Sequence, residues 1–169
     1  MLKVGLKYAV ICSVFLVVIF HVSSFFGINP LMNLVHLVFD LMMFGLFIFF
    51  ASKELKMSQQ NEVLHFWQGM TVGFNVYFFS TLVFGIYLYI YFGLNENVLL
   101  DYKESAHQFL QEKKEIYIEE MGQESFDSQL NGINEVSNMD LITSAVLKKI
   151  LAGFFITPVI SIILRKQPK

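Results

Sequence analysis

Residues 31–51 read LMNLVHLVFDLMMFGLFIFFA, and this stretch decides the fold. It carries one formal charge, Asp40, in about 20 residues, the length at which a helix crosses the hydrocarbon core of a bilayer. Gly27-Ile28-Asn29-Pro30 precedes it and reads as a tight turn. Asn29 is a natural N-cap there, and Pro30 fits the first helical position. Ser52-Lys53-Glu54-Leu55-Lys56 follows as a polar, basic exit.

Working outward, a first span runs from about Tyr8 to Phe26 behind Lys3 and Lys7. A charged start and Val22-Ser23-Ser24 also fit a signal peptide. The length of the apolar run and the immediate second span favour a retained helix. The turn between these two spans is so short that they form an antiparallel hairpin. A third span covers residues 66–92, with Trp67 at its start and Tyr87, Tyr89 and Tyr91 at its end. Amphipathic aromatics at both ends of one run suit the two membrane interfaces. The fourth span, residues 142–164, is short: the uninterrupted apolar part, Ile150 to Leu164, is 15 residues, about 22 Å of helix. It needs residues 141–147, and Lys148 and Lys149 are expected to snorkel to the outer headgroups along their aliphatic stems.

The whole composition agrees. With 55% hydrophobic residues, 15% charged residues and a mean hydropathy of +0.56, a soluble domain of 169 residues lacks the interior to hide its apolar side chains. The charges are segregated: residues 94–141 hold eleven acids against Lys103, Lys113 and Lys114, a net −8, while the remainder is +6. This acidic segment is expected to form two amphipathic helices, the first over Val98 to Met121, with Gly122 as the break. The chain is therefore predicted to be an all-α membrane protein. It has four transmembrane helices and an amphipathic helical extracytoplasmic insert between the third and fourth. Lys3, Lys7, Lys53, Lys56, Arg165, Lys166 and Lys169 fall on one side and outvote Lys148 and Lys149, which puts both termini in the cytoplasm.

The stretch His65-Phe66-Trp67-Gln68-Gly69-Met70-Thr71-Val72-Gly73-Phe74 has an aromatic-Gln-Gly followed by a second Gly and Phe. Near the end stands Gly153-Phe154-Phe155-Ile156-Thr157-Pro158-Val159-Ile160-Ser161 before a basic tail. These motifs, and the order of hairpin, third span, charged insert and last span, resemble the domain-of-unknown-function 4199 family of small bacterial membrane proteins. Pro158 and the Lys148-Lys149 pair are not features of that pattern. The resemblance implies a four-helix protein of the bacterial cytoplasmic (inner) membrane and brings no activity and no functional residues with it.

Asp40 is the polar anomaly. An ionised carboxylate inside a span is expensive and marks a candidate site. His36 stands one turn before it and Asn33 three residues earlier, on one helical face, and Asn75 of the third span is a candidate partner. This cluster reads either as a proton- or cation-linked site or as polar glue between helices, and glue is the favoured reading. Gly69 and Gly73 on the third span, and Gly153, Thr157 and Ser161 on the fourth, form small-residue stripes. These suit close packing within the bundle better than homodimerisation.

Cys12, within an apolar run, is expected to stay neutral and unreactive. No metal-binding spacing and no cofactor motif stand out, the Glu-rich run 112–124 lacks the loop of a calcium site, and nucleic-acid binding has no support. No nucleophile or acid–base pair assembles, so the chain is not expected to be an enzyme. Two expectations follow. The first is an accessory or scaffold component in lipid that contacts a membrane-protein partner or a second copy. The second is a small proton- or cation-linked transporter or channel using Asp40.

Overall fold

The computed structural model describes residues 1–27, 29–32, 34–59, 63–95 and 97–165. Among them are seven helices and no strand: α1 (Leu2–Phe25), α2 (Leu34–Met57), α3 (Phe66–Leu94), α4 (Asn97–Glu112), α5 (Lys114–Met121), α6 (Gln123–Glu135) and α7 (Asn138–Leu164). Helices α1, α2, α3 and α7 are long and apolar enough to cross a membrane. At 24 to 29 residues they measure roughly 36–44 Å, more than the hydrocarbon core needs. Val10, Val14, Val18, Phe154, Phe155, Ile162 and Ile163 point outward. Water tolerates no apolar belt of that extent, whereas lipid tails solvate it. The chain is a multi-pass membrane protein.

The four long helices alternate in direction. Lys7 meets Glu54 and Phe15 meets Phe47, so α1 and α2 are antiparallel. His21 Nε2 is hydrogen-bonded to the Tyr87 hydroxyl, and Gly5 lies against Asn75, so α1 and α3 run the same way. Gly69 faces Ser161, Gly73 faces Thr157, Gly153 faces the Tyr77 ring and Gly85 faces Val146, an antiparallel register of α3 on α7. The Lys56 ammonium donates to the Leu164 carbonyl at 3.2 Å, which ties the ends of α2 and α7. The start of α1, the end of α2, the start of α3 and the end of α7 therefore share one face. The turn at residues 29–32 and helices α4–α6 lie at the opposite, insert face.

Several boundaries differ from the expectation: α1 begins at Leu2 and not near Tyr8, and α2 runs on to Met57, past Ala51. The second helix begins at Leu34 and not at Leu31, and Pro30 lies outside it. Asn29 closes its own turn instead, accepting the Leu31 N–H on Oδ1 at 3.1 Å and the Met32 N–H on its carbonyl at 3.3 Å, an Asx-type turn. The last span is one continuous helix from Asn138. Ser137 and Asp140 cap it reciprocally: the Ser137 N–H donates to Asp140 Oδ2 at 2.9 Å, and Ser137 Oγ accepts the Asp140 N–H at 3.3 Å. The segment expected as one helix over 98–121 breaks at Lys113. That break lets α4, α5 and α6 pack on one another, burying Ala106, Leu110 and Phe126, while Val98, Leu99 and Tyr102 dock the root of α4 on the bundle.

Candidate functional site

The site grows from the one acid that α2 carries into the bundle. Helical side chains lean toward the N-terminus of their own helix. The N-termini of α2 and α7 both lie at the insert face, so Asp40 and Lys149 lean the same way and meet. Lys149 Nζ donates to Asp40 Oδ1 at 2.5 Å, and the two side chains are 4% and 6% exposed. The ammonium also lies 4.5 Å from the centroid of the Phe84 ring on α3, a cation–π contact that adds attraction in a desolvated place. Cys12 of α1 is a near neighbour of the pair, with Ser80 of α3 beside it. All four spanning helices thus contribute to one polar centre in an apolar bundle.

This arrangement corrects the sequence reading in several ways. Lys149 does not snorkel outward; it is the partner of Asp40. An unpaired carboxylate among apolar helices would cost far more than an ion pair, and that cost draws the lysine in. Lys148 alone turns outward, donating to the Leu31 carbonyl at 3.1 Å. Asn75 is not a partner of Asp40, because it packs against Gly5 nine residues before Phe84, about 13 Å along α3. Nor is Asp40 near the middle of its span. It is six residues from the start of α2, about 9 Å, and belongs to the insert-side half. Asn33 lies outside the described residues.

His36 lies one turn above Asp40, 6% exposed, and its Nε2 has no hydrogen-bond partner in the protein. Between it and the ion pair is a cavity of about 110 Å³, lined by Phe20, Leu37, Phe84, Ala145, His36, Asp40 and both lysines, with Pro30, Leu31 and Met32 of the turn at its rim. A second cavity of about 230 Å³ adjoins it, sharing Phe20, Pro30 and Leu31, and is lined by Ser24, Asn29, Tyr91, Asp101 and Ser105. The polar centre therefore continues toward the insert face.

The small-residue stripes do different work. A Cβ on Gly69 would come within 2.7 Å of Ser161 Oγ, and one on Gly73 or Gly153 would collide with Thr157 or Tyr77. Ser161 and Thr157 spend their hydroxyls on the carbonyls one turn back, at 2.8 and 2.6 Å. Gln68 Oε1 accepts the His65 N–H at 2.9 Å and fixes the start of α3. The two motif stretches, 65–74 and 153–161, are thus largely the two sides of one helix interface. Among the described residues, no group of three or more His, Cys, Asp or Glu side chains is disposed to hold a metal ion.

Sequence reasoning missed Lys149. The available signal was charge balance, since an acid placed inside a bundle needs a base at matching depth.

Comparison with curated proteins and with solved structures found no match. The model of one protein family, described as protein of unknown function (DUF4199), matches residues 4–166. The match takes in all four spanning helices, the polar centre and the insert alike, and the chain belongs to that family.

Proposed function

We propose that this protein is a small proton-linked transporter of the bacterial cytoplasmic membrane, with Asp40 and Lys149 as its proton-exchanging pair. The observation that carries the reading is a buried ion pair at the floor of a cavity. A purely adhesive pair has no need of adjoining space, whereas a pair that exchanges protons needs a way for them to arrive. The ammonium of Lys149 stands where a bound metal cation would stand, which favours a proton over sodium or potassium. A proton that adds to the Asp40 carboxylate makes it a neutral acid and removes the counter-charge of Lys149. The lysine then releases its own proton or swings toward the cavity mouth. Either response changes how α2 and α7 attract each other, and that is the coupling a transporter needs.

The test is proton flux in liposomes under an imposed pH gradient. Asp40→Asn is expected to abolish the flux, and the volume-conserving pair Asp40→Leu with Lys149→Met to do so in a well-folded protein. Wild-type flux in either variant ends the proposal. The reading includes a topology: both termini in the cytoplasm and α4–α6 outside, supported by the basic flanks. Burial of Lys149 removes one of the two lysines that opposed that orientation.

A second reading, an accessory role with a membrane-protein partner, draws on one observation. The insert exposes Leu100, Ile116 and Met121, apolar side chains outside the spans that a partner would cover. It predicts reproducible co-purification with a larger assembly, and isolation of the chain alone under mild detergent counts against it.

A further inference from the structure

We infer that water reaches the Asp40–Lys149 pair from the insert face only, through a hydrated half-channel that passes His36. The argument begins with the orphaned nitrogen. A buried ring nitrogen without a partner forfeits a hydrogen bond, and His36 Nε2 is such an atom in a residue lining the cavity. One water needs only about 10–15 Å³ of room, so 110 Å³ admits several. They would find His36, Asp40, Lys148 and Lys149 as polar partners. The adjoining 230 Å³ cavity continues the route past Asn29, Tyr91 and Asp101 toward the insert.

Toward the termini the bundle is filled. Ile48 of α2 and Val72 and Val76 of α3 are wholly buried, and Gly73 lies against Thr157. The titratable groups around the pair are Cys12 from α1, His36 from α2 and Lys148 from α7. Helix α3 presents Ser80, the Phe84 ring and, one turn nearer the mouth, Tyr87 bonded to His21. His36 is a titratable group between the mouth and Asp40, and is placed to pass protons inward.

The inference rests on the proton-linked reading for its purpose, but its geometry is tested separately. Cys12 is the single cysteine and is wholly buried, so Cys12→Ala provides a cysteine-free background. Should that change unfold the protein, wild-type Cys12 is kept and its own reactivity measured. Leu37→Cys and Ala145→Cys, on two different helices, line the half-channel. Val76→Cys lies on the closed side, and Ser128→Cys and Ser58→Cys mark the insert and terminal faces.

Silver ion, close to water in size, is applied in nitrate buffer to one side of sealed phosphatidylcholine–phosphatidylglycerol vesicles. The thiols left free are then counted with a maleimide after denaturation. Leu37→Cys and Ala145→Cys are expected to be protected to the same fraction as Ser128→Cys, and Val76→Cys not at all. Protection that follows Ser58→Cys, or no protection at both channel positions, overturns the inference. Protection without Asp40-dependent flux keeps the half-channel and removes the transport reading; flux without protection does the reverse.

Discussion

Removing one member of the Asp40–Lys149 pair is expected to destabilise the protein far more than removing both. At 2.5 Å and an effective dielectric of about 20, two unit charges attract by roughly 6–7 kcal/mol. Much of that offsets the cost of taking each charge out of water. Asp40→Leu strands an ammonium in a place that is 4% exposed, and Lys149→Met strands a carboxylate. Each single change should cost about 3–5 kcal/mol, near the lower figure where the stranded group sheds its charge. The double variant replaces the pair with apolar side chains of similar size and should lie close to wild type, or above it by about 1–4 kcal/mol. The assay is a double-mutant cycle on unfolding in mixed micelles, read by helical circular dichroism. Additive effects, with the double variant as unstable as the two losses combined, would refute the idea that the two charges depend on each other.

Gly153→Ala should destabilise by about 1–3 kcal/mol, because the new methyl meets the Tyr77 ring; the same unfolding measurement in mixed micelles checks it. Gly132→Ala should act in the opposite sense, since nothing lies within 4 Å of it in α6, and gain about 0.4–1 kcal/mol, read as slower amide exchange in the insert. Ser137→Ala should lose about 1 kcal/mol through the cap of α7, visible as fraying of residues 138–141 in the same exchange experiment. Reporter fusions at the C-terminus and within residues 100–130 should report opposite sides of the membrane, and agreement between them would remove one crossing.

Much of this fold is legible in the sequence because lipid imposes a simple rule. Backbone groups in hydrocarbon must bond internally, so each long apolar run becomes a helix and little else competes. Helix ends follow weaker rules. Asn29 and Pro30 carry the signature of a helix start, yet Asn29 spends its side chain on a local turn, and α2 starts at Leu34. The polar centre was half legible. Asp40 stands out against its apolar neighbours, while Lys149, at the edge of a run of 15 apolar residues, reads as a boundary residue. Its depth shows only once α7 is seen to begin at Asn138, eleven residues earlier. Asn75 was misplaced for the same reason: periodicity gives the face of a helix, and depth depends on the register between helices.

The interlocked register of α3 and α7 bears on how the protein can move. Gly69 with Ser161, Gly73 with Thr157 and Gly153 with Tyr77 repeat every four residues, like teeth on two racks. A small slide of one helix along the other drives side chains into backbone, and the next fitting position lies a whole turn away, about 5.4 Å. These two helices therefore behave as a single stiff mast. The α1–α2 hairpin meets that mast through the Asp40–Lys149 bond, and also through His21 on Tyr87, Gly5 on Asn75, Lys56 on the Leu164 carbonyl and Gly45 on Ile156. Loss of that bond loosens α2 from α7 while α1 stays moored to α3, so the hairpin gives at its α2 edge, like a sail slackened along one side, where Asp40 is the buried knot.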